Sequence, residues 1–233
     1  MVLEADGRGY HEAVVEGVEP GARYLFRLSG GLERPDPVSR FQRNGVDGPS
    51  EVTEAEFPWT DWGWRGSPAG NGVVRPLGAT GEFEAAAERL DDVAWAEATV
   101  IELPSVVQSS DGIVFPYAPR NTAGGPLALK RLIDECHARR LSVVLGVVVG
   151  MRGRSFDDFG PYSDGVASHG VRNCFIGNTL YWLDEFHIDG LRVRADASMS
   201  SFVDELNAVT DAFARRTRRH VYVMTDSESA PVG

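Results

Sequence analysis

Three tryptophans, Trp59, Trp62 and Trp64, stand within six residues of one another. An indole presents a flat apolar face that matches the C–H face of a pyranose, so the cluster is a candidate sugar-stacking platform. It is equally a candidate staple, fastening one segment of the chain to the next through buried aromatic area. Further along, the carboxylates Asp196, Asp226 and Glu228 follow closely on two predicted strands, and Arg192 and Arg194 lie in one of them. Carboxyl groups at the C-terminal ends of strands sit where barrel enzymes perform acid–base chemistry; solvated loops and helix caps have the same composition. His187 has no second histidine or carboxylate at ligand spacing on its own element, so no metal is expected, and no cofactor either.

The elements that must position these groups belong to an ordinary globular chain. It has 233 residues, 42% apolar and 24% charged, which excludes wholesale disorder. Twenty-three basic against 34 acidic residues leave a net charge of −11, which argues against a nucleic-acid backbone as partner, because that binding is driven by Lys and Arg displacing counterions. Lys130 is the only lysine. Cys136 and Cys174 are too few for a disulfide scaffold or a cysteine-rich zinc site, and both fall in apolar helical patterns as small buried hydrophobes. No run of about 20 apolar residues suggests a membrane span. The first residues lack the charged and apolar regions of an export signal, so a cytoplasmic location is the expectation.

Residues 1–57 read as β. Tyr10–Val15 is one candidate strand, and Arg23–Leu28 alternates polar and apolar side chains as a second, closed by Ser29-Gly30-Gly31. So few strands cannot bury a sandwich core, which leaves a partial β-domain or a ribbon packed on the remainder. Residues 58–72 form a Trp-rich linker. From 73 to 233, short apolar runs alternate with amphipathic helices. The predicted strands are 73–77, 98–103, 141–149, 190–195 and 220–224. The predicted helices are 83–95, one opened by Gly125-Pro126, 171–187, and one capped by Ser201 and ended by the basic run around Arg215–Arg219. Strand–helix repeats imply a parallel sheet with right-handed crossovers. An open doubly wound sheet and the first part of an eight-stranded barrel both satisfy the pattern.

Longer strings carry a resemblance. Asp111-Gly112-Ile113-Val114-Phe115-Pro116-Tyr117-Ala118-Pro119 is followed by Gly124-Gly125-Pro126-Leu127-Ala128-Leu129-Lys130-Arg131-Leu132-Ile133. Then come His137-Ala138-Arg139-Arg140-Leu141-Ser142-Val143-Val144-Leu145 and Tyr181-Trp182-Leu183-Asp184-Glu185-Phe186-His187-Ile188-Asp189-Gly190-Leu191-Arg192. In this order they resemble the α-amylase superfamily, glycoside hydrolase family 13. Pro35-Asp36-Pro37-Val38-Ser39-Arg40 and Gly45-Val46-Asp47-Gly48-Pro49-Ser50 are similar to its maltooligosyltrehalose trehalohydrolase branch, with glycogen branching enzymes further off. The resemblance implies an α/β fold: a partial, carbohydrate-binding-type β-sandwich ahead of a truncated (β/α) barrel, about five of eight strands.

That family cleaves α-glucosidic bonds with a carboxylate nucleophile, a carboxylic acid donor and a third carboxylate. One group protonates the leaving oxygen and another stabilises or traps an oxocarbenium-like carbon. The family's third-strand motif resembles Asp-Val-Val-Tyr-Asn-His; here the matching stretch is Gly146-Val147-Val148-Val149-Gly150-Met151. Its fourth-strand motif resembles Gly-Leu-Arg-Leu-Asp-Ala; here it is Gly190-Leu191-Arg192-Val193-Arg194-Ala195, with Arg194 at the nucleophile position. Thr225 matches the acid position, and a slip of one residue would put Asp226 there. The third carboxylate belongs to the family's strand seven, which this sequence does not include. A guanidinium cannot be deprotonated at working pH and repels a forming sugar cation.

The leading expectation is a catalytically inactive relative that works as a binding or interaction protein. Its possible partners are α-glucan or maltooligosaccharide, a second copy of itself, or a full-length family enzyme. The alternative is a residual or altered glycosidase that uses Asp196, Asp226 and Glu228, with Arg192 holding an anion or paired with Asp226. A third reading is a decayed gene product, although an intact apolar pattern in every helix argues against it.

Overall fold

Parallel strands β7 (Val74–Pro76), β8 (Val100–Leu103), β11 (Ser142–Val147), β12 (Gly190–Val193) and β13 (Tyr222–Thr225) lie side by side in the order in which the chain makes them. The computed structural model describes residues 2–5, 11–54, 56–68, 72–77, 81–95, 97–104, 106–147, 159, 169–194 and 199–225. A doubly wound sheet reverses its strand order at a switch point; this one never does, which is the topology of a (β/α) barrel arc. Pro76 is tolerated because β7 is an edge strand among the described residues, bonded there only to β8.

Helices α1 (Phe83–Ala87) and α2 (Leu90–Trp95) connect β7 to β8, α3 (Gly125–Ala138) precedes β11, α4 (His169–Glu185) precedes β12, and α5 (Ser200–Thr217) precedes β13. Their apolar stripes meet one face of the sheet. Ile101, Leu103, Val143, Leu145, Leu191 and Val193 share a buried cluster with Phe83, Leu90, Leu129, Ile133, Phe175, Trp182 and Phe202. Successive strand residues point to opposite faces, so Glu102, Val144, Gly146, Arg192 and Met224 belong to the other, lumen-facing side.

Three local expectations are corrected. The 83–95 helix is two helices: the Arg89 amide donates to the Ala86 carbonyl (3.2 Å), a tighter turn that reorients the chain and lands Leu90 in the core. Ser201 does not cap α5. The helix begins one residue earlier with no side-chain cap, and the Ser201 hydroxyl accepts from Arg172 Nη2 (2.9 Å). The 23–28 strand is two ladders with different partners, β3 (Arg23–Tyr24) against β6 (Ser50–Glu51) and β4 (Phe26–Arg27) against β5 (Glu33–Arg34). With β1 (Glu4–Ala5) and β2 (His11–Glu12), these two-residue ladders are what the described residues of 1–57 show. Their buried end touches the barrel, where Phe41 packs over Gly125 and Val46 joins Phe115 and Ala118.

Asp111-Gly112 forms the tip of a hairpin between β9 (Val107–Ser110) and β10 (Ile113–Pro119). Both residues have positive φ (50° and 79°), as a type I′ two-residue loop needs. The Pro116 carbonyl accepts from Asn178 Nδ2 (2.8 Å) and Trp182 Nε1 (3.2 Å), so the hairpin is bolted to α4.

Candidate functional site

On the lumen side, the register sets Gly190, Leu191, Arg192 and Val193 of β12 beside Val144, Leu145, Gly146 and Val147 of β11, and beside Tyr222, Val223, Met224 and Thr225 of β13. Gly190 is required by close approach: a Cβ there would sit 2.9 Å from the Tyr222 ring. Arg192 Nε donates to Glu102 Oε1 at 2.7 Å, although β11 lies between their two strands. The position of β11 level with Arg192 is Gly146, so no side chain obstructs the reach. Both partners are largely screened from water, with side chains 16% and 26% exposed. A charge-assisted bond of this kind neutralises the lumen carboxylate. Arg192→Ala is expected to lower stability by about 1–3 kcal/mol, because Glu102 keeps its partly buried charge and loses this donor. Urea melts check this, and Arg192→Ala combined with Glu102→Gln should recover part of the loss.

Arg194 follows the last residue of β12, on the same strand parity as Arg192, and is exposed. Thr225 pairs with Val193, which faces the helices, so the register sets Thr225 on the helix side and leaves the lumen side of β13 to Tyr222 and Met224. Asp196, Asp226 and Glu228 lie outside the described residues. The alternative in which Arg192 pairs with Asp226 thus falls outside the described residues, and Glu102 is a partner that the described residues give it. The sequence reading passed over Glu102. A single charge inside the apolar run Val100-Ile101-Glu102-Leu103 was the available signal.

The tryptophan segment lies at the opposite end of the strands, where β11 and β12 begin. Trp59 stacks on the His187 ring (centroids 3.9 Å apart, planes 16°) and meets Phe57 edge-on. Trp64 stacks on His137 (4.8 Å, 19°) and its Nε1 donates to Asp189 Oδ1 at 2.8 Å. These two indoles each spend a face on an imidazole, whereas Trp62 is 82% exposed. Asp61, between them, reaches His137 Nδ1 (2.8 Å) and His187 Nδ1 (2.8 Å). Burial alone would raise the Asp61 pKa, but the hydrogen bonds from the two histidines outweigh it and hold the carboxyl well below the usual carboxylate range. Sequence reasoning missed Asp61, His137 and Asp189 as a group. Only His187 was noted, as a helix-end residue.

Among the described residues, no group of three or more His, Cys, Asp or Glu side chains is placed to hold a metal, and no helix is long and apolar enough to cross a membrane. Burial pushes the Cys136 thiol up to about 12 and the Cys174 thiol up to about 11, so both stay protonated at neutral pH.

No family model matches the sequence. Among curated proteins, the chain is 32% identical over 222 residues to malto-oligosyltrehalose trehalohydrolase of Saccharolobus solfataricus, an alignment covering 83% of this chain and 39% of that protein. It is 33% identical to the enzyme of the same name from Arthrobacter ramosus (88% and 42%). It is 29% identical to the 1,4-alpha-glucan branching enzyme GlgB of Corynebacterium efficiens (83% and 32%). The chain thus spans about 40% of the trehalohydrolases it matches. Among solved structures, it superposes on a putative alpha amylase from Salmonella typhimurium with a TM-score of 0.84 at 32% identity, over 96% of this chain and 43% of that one.

Proposed function

Because the chain belongs to the α-amylase superfamily, we propose that it is a member that binds α-glucan or maltooligosaccharide and does not cleave it. The observation that carries this reading is the charge at the end of β12. An arginine, Arg194, follows Arg192 on the lumen parity where the family's motif calls for the attacking carboxylate. The neighbouring lumen carboxylate, Glu102, is committed to Arg192. On β11, Gly146 stands where the motif has an aspartate. Glycosidic hydrolysis needs one carboxyl group to protonate the leaving oxygen and one carboxylate to meet the sugar cation. A cation in the second seat raises the barrier, where such enzymes must lower it by about 10 kcal/mol or more.

The glucan as partner follows from kinship with relatives named for maltooligosyltrehalose and 1,4-alpha-glucan. Trp62 offers the exposed stacking surface for it. The test is incubation with maltooligosyltrehalose, followed by assays of free trehalose and new reducing ends. The expected result is no release above a protein-free blank, and sustained turnover would overturn the reading. Calorimetric titration with maltoheptaose should show binding that Trp62→Ala weakens. Absence of any heat, with a fully folded sample, would remove the glucan and leave a protein partner, such as a second copy or a longer family enzyme.

A further inference from the structure

Both ring nitrogens of His137 lie against carboxylate oxygens, Nδ1 at 2.8 Å from Asp61 Oδ2 and Nε2 at 3.0 Å from Asp189 Oδ2. An ionised carboxylate accepts and cannot donate, so each contact is a hydrogen bond only if that nitrogen carries a proton. The His137 side chain is 0% exposed, and its partners are 6% and 0% exposed. From this geometry we propose that His137 is a buried imidazolium that locks the Phe57–Ser67 strap under the barrel, and that losing its proton releases the strap.

Several contacts of the strap meet this cation or its two carboxylate partners, and others fasten it to the same end of the barrel. Asp61 also reaches His187 Nδ1, and Trp64 Nε1 donates to Asp189. The Thr60 amide and hydroxyl donate to Asp134, the His220 amide donates to the Arg65 carbonyl (2.5 Å), and the Ser67 amide donates to Ser142 Oγ. Gly66 lies so close to the barrel base that a Cβ would come within 2.4 Å of the His220 carbonyl oxygen. The remaining titratable and charged neighbours are His187 on Asp61, Arg219 on Asp189 (3.4 Å), and Tyr222 and Cys136, both of which feel the charge of Asp189. None of them can supply a donor between Asp61 and Asp189 if His137 becomes neutral. One nitrogen lone pair would then face a carboxylate, and His137 could donate to only one of the two buried acids it now bridges.

The direction of the His137 titration agrees. Burial would lower its pKa, but the hydrogen bonds to Asp189 and Asp61 outweigh burial and raise it. A raised folded-state pKa gives stability that is complete below the unfolded value of about 6.5 and is lost as pH rises through the folded value. Asp61, held low, contributes above about 3.9 and loses its contribution as pH falls through its folded value. The lock is therefore fully engaged between roughly pH 4 and 6.5 and opens on the alkaline side.

The experiment is a histidine 15N NMR titration of the full chain from pH 5 to 10, paired with trypsin cleavage after Arg65 normalised to a short reference peptide. One histidine should keep both ring nitrogens protonated at pH 7.5, and its deprotonation should coincide with a rise of about tenfold in cleavage at Arg65. Asp61→Asn should lower that midpoint by about one pH unit or more, since it removes one of the two charges that favour the cation. His137→Gln identifies the resonance; if it does not fold, Asp61→Asn shifts the His137 and His187 resonances, and His187→Gln removes the second of them, which leaves the first assigned. A neutral tautomer at pH 7, or cleavage at Arg65 that does not follow the titration, would overturn the proposal.

Discussion

Asp189→Asn is expected to destabilise the protein by about 3–5 kcal/mol, the cost of breaking a buried charged network from one side. Asp189 is 0% exposed. Its Oδ1 faces Trp64 Nε1 and Arg219 Nη2, and its Oδ2 faces His137 Nε2 and the Val143 amide. All four neighbours are donors. An asparagine of the same size replaces one oxygen with an NH2 group, which puts donor against donors whichever way the amide is turned. The loss falls where β11 and β12 begin and where the strap docks, so several elements loosen together. Equilibrium urea denaturation measures it. Asp134→Asn is the control: its carboxylate receives Thr60 in an exposed setting and should cost under about 1 kcal/mol. Equal effects at the two sites would show that burial is not what gives Asp189 its weight.

Trp182→Ala is the second large loss, about 3–5 kcal/mol. Trp182 is 1% exposed within α4, its ring centroid is 4.8 Å from that of Phe186, and its Nε1 donates to the Pro116 carbonyl. Truncation leaves a cavity the size of an indole between a helix and a hairpin. It also removes one of the two donors on the Pro116 carbonyl, the other being Asn178. Refilling is restricted because Phe175, Leu183 and Phe186 are themselves fully packed. Trp182→Phe should recover much of the difference. Thermal melts of the three proteins check the ordering, and a neutral Trp182→Ala would mean that α4 is not held as the packing requires.

The pattern of apolar residues already told which faces of which segments are buried. Leu129, Leu132, Ile133 and Cys136 line the inner side of α3, and Leu141 to Leu145 in and beside β11 are buried on both faces, as the apolar run implied, whereas Gly146 and Val147 are half-buried. The motif strings carried the family, because they are contiguous and keep their order. The arginine at 194 is likewise read from the sequence, and its match to the motif's carboxylate position is part of the proposal.

What the sequence left open was everything that depends on strand order and on pairs far apart in the chain. An unreversed order of five parallel strands, not periodicity, separates a barrel arc from a doubly wound sheet. Glu102 and Arg192 are 90 residues apart, and His137 lies 76 residues from Asp61 and 52 from Asp189. Local hydrophobic period reports only whether a side chain turns inward. Which opposite charge it then meets is decided when separate strands and a strap are brought to one end of the sheet, where the low dielectric makes an unmatched charge costly and a matched set specific.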